Sequence, residues 1–243
     1  MKHIKGLLYC IITWYIISII FGIDKTNTYI IPMPHVVIYT LFTNLNIVYD
    51  DFLISLFRLM SGLFLASIFG IIIGISLGTK ESLNKTISPV VHALHPIPKG
   101  ALTPVFIAMF GLGEWSKILI VMCIAIFPII INIKDSLRNL DPIYYLSAKN
   151  INLSTKDYYK QFILKSIYPE LLTTLKISIG TGVAVLYLSE TVASNKGLGY
   201  LIAFNNGVNK NMMFVGILLL SLIGYILVMI VTIIEEKYKS KIS

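Results

Sequence analysis

Long runs of apolar residues, separated by short polar segments, make up most of the chain. A helix needs about 20 residues to cross a hydrocarbon core ~30 Å thick. Six runs approach or exceed this length: 7–23, 59–77, 89–112, 115–133, 166–192 and 212–234. The pattern therefore predicts an all-α membrane protein with about six transmembrane helices, which form a single transmembrane domain over residues 1–243.

The first run and the segment after it need separate interpretation. A cleaved signal peptide is the alternative for residues 7–23, but no small-residue cleavage site follows, so a retained span is favoured. Pro32 and Pro34 cannot continue a helix. The segment after the first run is therefore predicted to be an extracytoplasmic loop with a short interfacial helix over residues 34–43.

The composition supports a lipid environment. Hydrophobic residues make up 56% of the chain and charged residues only 13%, whereas a soluble domain carries about 25% charged residues. The net charge of +8 comes from lysines and arginines that fall mainly in alternate loops. The positive-inside rule then predicts a multi-pass protein of the cell membrane with both termini in the cytoplasm. Because no basic patch is interleaved with aromatic residues, the expected partner is the lipid bilayer and not a nucleic acid.

Small residues recur at four-residue spacing along the second run. They are Gly62, Ala66, Gly70, Gly74 and Gly78. This spacing places one small side chain per turn on a single helix face, where another helix can approach closely. We therefore predict a tight helix–helix contact along this face.

Prolines interrupt the third run. Pro96 and Pro98 remove backbone donors, and the carbonyl groups that they free at membrane depth need protein or water as partners. Broken helices of this kind often border a solute cavity, so both prolines and Lys99 are predicted to line a translocation pathway. Lys99 would attract an anion there; alternatively, it extends its ammonium to the cytoplasmic interface. Glu190, near the end of the fifth run, either lines the outer gate or is an interfacial carboxylate.

No metal or catalytic site is predicted. His92 and His95 share a helix face, but neither a third ligand nor a supporting carboxylate is near. Cys10 and Cys123 lie within apolar runs and are predicted to be packing residues. A nucleophile with a convergent acid–base set is also missing from the pattern.

The basic, helix-prone segment over residues 135–165 is longer than a simple connection requires. Pro142 suits the first turn of a short helix, after which Ser154 would cap a second helix over residues 155–164. Two short helices parallel to the membrane would allow a cytosolic partner to push on the bundle. The alternative is an ordinary loop helix on the membrane surface.

Several short motifs resemble those of one transporter family, in order along almost the whole chain. They are Pro96-Ile97-Pro98-Lys99, Pro104, Phe110-Gly111-Leu112-Gly113, Ser116-Lys117, Phe127-Pro128, Asn132, Asn139-Leu140-Asp141-Pro142 and Gly197-Leu198-Gly199-Tyr200-Leu201-Ile202. On these residues the chain resembles the permeases of the nitrate, sulfonate and taurine branch of ABC importers. The resemblance implies the type I importer permease (MetI-like) bundle, with a cytoplasmic coupling-helix loop over residues 135–165.

The family's coupling signature, Glu-Ala-Ala followed by three residues and Gly, is divergent in this chain. Leu146 stands in place of the Glu, Asn152 in place of the Gly, and Ala148 is retained. Asn can still adopt the left-handed conformation that glycine favours. The resemblance implies that the residues coupled to the ATPase are Tyr144, Tyr145, Leu146, Ser147, Ala148, Asn152 and Ser154.

The resemblance also implies the partners. Two such permeases, commonly identical, would form the pathway, a cytosolic ABC ATPase dimer would bind the coupling loops, and an extracytoplasmic solute-binding protein would deliver the solute. ATP and Mg²⁺ would bind to the ATPase, since this chain has no phosphate-binding loop and no cofactor of its own. The chain would then be a transport subunit and not an enzyme. Its solute would be a small anion such as nitrate, a sulfonate or taurine, or another small metabolite.

The main alternative is an ATP-independent secondary transporter or channel. Such a protein would be expected to carry carboxylates or histidines within its spans as an ion or proton relay. The first, second, fourth and sixth runs contain no carboxylate and no histidine. A membrane-bound enzyme would need a convergent catalytic set, and a scaffold protein would have no ATPase partner.

Overall fold

The computed structural model describes residues 2–22, 30–141, 143, 154 and 157–242. Helices account for nearly all of these residues, and no strand occurs among them. In chain order the α-helices are α1 (Lys2–Phe21), α2 (Pro34–Thr43), α3 (Leu45–Thr79), α4 (Glu81–Leu94), α5 (Thr103–Phe110), α6 (Glu114–Arg138), α7 (Leu164–Ala193), α8 (Leu198–Asn205) and α9 (Lys210–Ile242). A 3₁₀ turn (Lys99–Leu102) leads into α5, and a π-helical segment (Tyr158–Ile163) leads into α7.

Within the described part of the chain, four helical segments are long and apolar enough to cross a membrane: Leu45–Thr79, Glu114–Arg138, Tyr158–Val192 and Lys210–Ser240. Shorter apolar helices cover Leu8–Phe21, Pro34–Thr43 and Lys99–Phe110. The first and third predicted spans correspond to two of these shorter helices. The all-α membrane class is therefore confirmed, and the predicted number of six spans is approximate.

The second predicted span is much longer in the structure. Helix α3 begins at Leu45, whereas the apolar run begins at residue 59. The predicted span begins after Arg58, because charged residues usually end an apolar stretch. In the structure, however, Arg58 and Asp51 are both buried side chains of α3. The extra turns of α3 therefore bring charged groups into the interior of the bundle.

The helix predicted over residues 155–164 is not separate from the fifth span. From Asp157 onward the two form one continuous helical segment. Pro169 lies inside it and cannot donate to the carbonyl of Lys165. That carbonyl instead accepts a hydrogen bond of 3.2 Å from the hydroxyl of Tyr238 on α9. Because this tertiary partner satisfies the freed carbonyl, the helix continues through the proline.

Helices α3 and α6 pack along the stripe of small residues. The contacting pairs are Gly62 with Val121, Gly70 with Ile129, Gly74 with Ile133 and Gly78 with Leu137. A Cβ atom placed on Gly62 or Gly70 would lie only 2.7 Å from its partner side chain, and Ala66 between them is fully buried. A larger side chain on this face would therefore push the two helices apart.

The register of the contacts defines the two ends of the bundle. Residue numbers in α3 and α6 rise together along their shared seam, so these helices run in the same direction. Helix α7 runs in the opposite direction, because its Thr174 contacts Asn132 and its Glu190 contacts Arg58. The starts of α3, α6 and α8 therefore lie at one end, and the connection between α6 and α7 lies at the other.

Candidate functional site

The third span is broken where the prolines predict. Helix α4 ends at Leu94, and regular structure resumes only with the 3₁₀ turn that starts at Lys99. Pro96 and Pro98 lie in the irregular stretch between them and are exposed in the single chain. The break thus faces away from the rest of the bundle.

Lys99 caps the end of the broken helix. The side chain is only 7% exposed, and its Nζ donates to the carbonyl oxygens of His95 and, at 3.4 Å, of Ile97. The same ammonium lies 4.7 Å from the centroid of the Phe127 ring, a cation–π contact. Lys99 therefore satisfies carbonyl groups that the break leaves without helical partners. Its attraction of an anion and its extension to the cytoplasmic interface both stay predictions.

A second lysine binds the backbone just after α5. Gly111 ends that helix with φ +76°, a conformation that glycine adopts without strain. Lys117, in the first turns of α6, is 1% exposed, and its Nζ donates to the carbonyl oxygens of Leu112 and, at 3.1 Å, of Gly113. The ammonium thus folds back onto the turn before its own helix. Charge counting alone would leave Lys117 in an exposed outer loop.

An ion-pair network around Arg58 joins α3, α6 and α7. The Nη1 atom donates to Glu190 at 2.8 Å and to the carbonyl oxygen of Lys196 at 2.9 Å. The Nε and Nη2 atoms form a two-point contact with Glu114 at 2.5 and 2.9 Å. Glu190 also accepts from the Ser55 hydroxyl at 2.8 Å. The network is uneven, because the Glu190 side chain is fully buried whereas that of Glu114 is 48% exposed.

The start of α8 is held by the same network. The three consecutive N–H groups of residues 197–199 donate, in order, to Asp51 at 2.6 Å, Ser55 at 2.8 Å and Glu190 at 2.8 Å. Gly197 has φ +112°, and a Cβ atom there would lie 2.6 Å from the Glu190 carboxyl carbon. The Gly-Leu-Gly motif therefore allows the backbone to approach the buried carboxylate.

Glu190 is fully buried among hydrogen-bond donors at the end of the bundle where α8 begins. Its outer-gate role and its interfacial role both stay predictions. Its partners Asp51, Ser55 and Arg58 were missed. Their spacing of four and then three residues places them on one helix face, and this is the sequence signal that could have found them.

At the other end of the bundle, polar contacts tie α4 to α6. Lys134 Nζ donates to Ser88 Oγ at 3.1 Å and lies 3.0 Å from His92 Nε2. Arg138 donates to Glu81 at 2.7 Å and holds the pKa of that carboxyl below its usual value. No group of three or more His, Cys, Asp or Glu side chains suited to a metal ion occurs in the described ranges.

The predicted coupling residues are only partly visible. Those at positions 144–148 and 152, namely Tyr144, Tyr145, Leu146, Ser147, Ala148 and Asn152, lie outside the described residues. The Oγ atom of Ser154 accepts from the N–H of Asp157 at 3.1 Å and donates to the carboxylate of the same residue at 2.6 Å. Ser154 thus caps the long helical segment that leads into α7.

The sequence of this chain matches a known family of transport proteins. The family model for binding-protein-dependent transport system inner membrane components matches residues 66–240, which is more than half of the chain. The chain therefore belongs to this family. It is a membrane-spanning permease subunit of an ABC importer, and ATP hydrolysis is the task of a separate subunit.

Sequence relatives support the predicted branch. The putative aliphatic sulfonates transport permease protein SsuC of Bacillus subtilis (strain 168) is 28% identical over 237 residues, which cover 96% of this chain and 86% of the relative. The nitrate import permease protein NrtB of Leptolyngbya laminosa is 31% identical over 181 residues, which cover 71% of this chain and 65% of the relative. The predicted resemblance to the nitrate, sulfonate and taurine branch is thus confirmed.

A solved structure supports the fold. A chain of the MetNI methionine ABC transporter in an inward-facing conformation superposes with a TM-score of 0.71, covering 81% of this chain and 98% of that chain. The sequence identity is only 16%, so this likeness concerns the fold alone. The predicted MetI-like bundle is confirmed.

Proposed function

We propose that two copies of this permease form the translocation pathway for a small anion and that the loop over residues 135–165 couples it to a cytosolic ABC ATPase dimer. An extracytoplasmic solute-binding protein delivers the solute, and ATP and Mg²⁺ bind to the ATPase. Family membership carries the proposal, since the members are binding-protein-dependent components of the inner membrane.

The proposed coupling residues are Tyr144, Tyr145, Leu146, Ser147, Ala148, Asn152 and Ser154. Support comes from the helix that follows them. The segment from Asp157 to Ala193 is continuously helical, and at 1.5 Å per residue it extends about 55 Å. The hydroxyl of Ser154 caps its start, and Glu190 lies near its far end. A displacement of the coupling loop would therefore reach the Arg58 network through one stiff element.

The carboxylates inside the bundle disfavour a cationic solute. Glu190 is paired with Arg58, and Glu235 is paired with Lys176 at 2.5 Å and with Lys239 at 2.9 Å. These interior carboxylates are already neutralised, which leaves them poorly suited to attract a cation. The names of the relatives point the same way, because they refer to sulfonates and nitrate.

We also propose that both termini face the cytoplasm. The loop over residues 135–165 contains Lys149, Lys156, Lys160 and Lys165, and the C-terminal end of α9 adds further lysines. The positive-inside rule favours the cytoplasm for both regions. In that orientation the Arg58 network lies at the outer end of the bundle.

The test is co-purification of the tagged permease from its native membrane, followed by mass spectrometry of the bound proteins. We expect an ABC ATPase to be recovered with the unmodified chain and to be lost when residues 144–154 are replaced by a Gly/Ser linker of equal length. The matched control replaces residues 206–209, the exposed connection between α8 and α9 at the opposite end, and should retain the ATPase.

Two results would count against the proposal. Recovery of the ATPase with the 144–154 replacement would show that the partner binds elsewhere. Absence of any ATPase from the unmodified chain, under conditions that preserve other ABC complexes, would favour an ATP-independent transporter or channel. Monodispersity of each variant by size-exclusion chromatography shows that loss of the partner is not loss of folding.

A further inference from the structure

Two buried lysines close the two ends of one short segment, Lys99–Phe110, which consists of the 3₁₀ turn and α5. Lys99 opens the segment and binds carbonyl groups left free by the end of α4. Lys117 follows it and binds carbonyl groups of the turn between α5 and α6. Both side chains are buried, at 7% and 1% exposure. A buried lysine ammonium therefore binds backbone carbonyl groups at each end of the Lys99–Phe110 segment; we call these two ends its joints.

The backbone at these joints has free space. A Cβ atom on Gly111 or Gly113 would meet no atom within 4 Å, and one on Gly100 would meet only Leu188 Cδ1, at 3.4 Å. Along the seam between α3 and α6, by contrast, added Cβ atoms would approach their neighbours to less than 3.0 Å. The ends of the short segment are therefore loosely packed within the single chain, whereas α3 and α6 are in close contact.

The lysines are engaged as hydrogen-bond donors. A lysine that receives an anion needs an N–H directed at that anion. The Nζ of Lys99 is instead occupied by two carbonyl oxygens and faces the ring of Phe127. Two of the three N–H groups of the Lys117 ammonium likewise go to carbonyl oxygens. An uncharged N–H donor such as Gln could bind the same carbonyl groups, but it could not replace the charge of an anion receptor.

We propose that Lys99 and Lys117 are positioning residues, a pair of hydrogen-bonding caps that fix the Lys99–Phe110 segment at both joints and so set its place beside the pathway. This inference rests on the proposed function and on the prediction from the sequence that the broken third span borders the route of the solute. It also assigns Lys99 a role other than direct binding of the solute.

The test compares three substitutions at each position: Lys→Arg, Lys→Gln and Lys→Met. Arg and Gln retain N–H donors, whereas Met matches Gln in length and has no donor. Each permease is reconstituted in liposomes with its native ATPase and solute-binding protein. Initial uptake is measured with a labelled aliphatic sulfonate and, separately, with nitrate. Lys85→Met, an exposed lysine of α4, is the matched control and should behave as the unmodified chain.

The proposal predicts a loss of maximal rate in the Met variants alone. Removing a hydrogen bond from a charged donor while its buried acceptors remain should slow transport about tenfold or more. The Arg and Gln variants should stay within about threefold of the unmodified chain in maximal rate and in half-saturating concentration. A raised half-saturating concentration in the Gln variant, with Arg unaffected, would instead identify an anion receptor. Near-normal transport by both Met variants would also overturn the proposal.

A second readout does not depend on transport. The native thiol of Cys123 lies on α6 one helical turn before Phe127, whose ring contacts the Lys99 ammonium. Its labelling by a maleimide in a Cys10→Ala background therefore reports on how well the segment covers this part of α6. Labelling should be faster in Lys99→Met than in Lys99→Gln, and equal rates would contradict the capping role. If the unmodified complex transports neither probe, the proposed solute class fails, while this comparison still tests the caps.

Discussion

Arg58 has two carboxylate partners that differ in burial, and their removal should have unequal effects on the stability of the fold. Glu190 is fully buried and accepts hydrogen bonds from Arg58, Ser55 and the Gly199 N–H. Glu114 contacts the same guanidinium at two points, but its side chain is 48% exposed. The substitutions Glu190→Gln and Glu114→Gln therefore remove the same charge from opposite sides of one arginine.

The expected magnitudes follow from burial. Removing one partner of a buried ion pair costs about 3–5 kcal/mol, because the remaining charge loses its buried counter-charge; Arg58 would then keep only the half-exposed Glu114. An ion pair with one exposed member contributes about 0.2–1 kcal/mol. The difference of at least about 2 kcal/mol corresponds to a factor of roughly 30 in the unfolding equilibrium. Glu190→Gln also disturbs the Gly199 N–H, which loses a charged acceptor, so its cost should lie toward the upper end of its range.

The assay is reversible unfolding of the purified permease in mixed micelles, with the free energy of unfolding compared among the unmodified chain and the two variants. Asp50→Asn serves as a control, since Asp50 is exposed and lies at the same end of α3. We expect Glu190→Gln to be the least stable and Glu114→Gln to lie close to the control. Equal destabilisation by the two Glu variants would refute the argument from burial.

Three further predictions concern other parts of the bundle. Gly70→Ala should destabilise the fold by about 1–3 kcal/mol in the same unfolding assay, because the added Cβ would clash with α6. Gly180→Ala is the control: a Cβ there meets nothing within 4 Å, so the substitution should be neutral or slightly stabilising. Equal effects of the two substitutions would contradict the close packing of α3 against α6. Ser154→Ala should cost about 1 kcal/mol locally and speed hydrogen exchange in the first turn of the helix that it caps, and unchanged exchange would argue against the cap. The Arg138 contact lowers the pKa of Glu81, so this ion pair should stabilise the fold above the usual Glu pKa of about 4.3 and lose its effect as the pH falls through the lowered pKa. The free energy of unfolding of Glu81→Gln should therefore differ from that of the unmodified chain near pH 7 and converge with it in acid. A difference that does not depend on pH would contradict this prediction.

Local sequence patterns predicted the features that depend on local geometry. The break around Pro96 and Pro98 follows from the missing N–H groups of proline, and the face of α3 that contains Gly70 follows from four-residue spacing. Both effects act within one or two turns of helix, so they can be inferred without knowing what packs nearby.

Features that depend on distant partners were not predictable in the same way. The second span was predicted to begin at residue 59, and only contacts with α7 and with the start of α8 explain why Asp51 and Arg58 lie buried in the same helix. The continuity of the helix through Pro169 depends on a hydroxyl of α9 that lies far along the chain. In each case a tertiary partner satisfies a group that would otherwise end the helix.

We expect this permease to move its solute only when a separate ATPase drives it. Uptake of a labelled aliphatic sulfonate or of nitrate is measured in liposomes that contain the assembled complex, with ATP supplied on the side of the ATPase and the solute-binding protein on the other side. Uptake should require both ATP and the binding protein, and it should be lost in the 144–154 linker variant. Uptake by the permease alone, driven by an ion or proton gradient without ATP, would contradict this expectation.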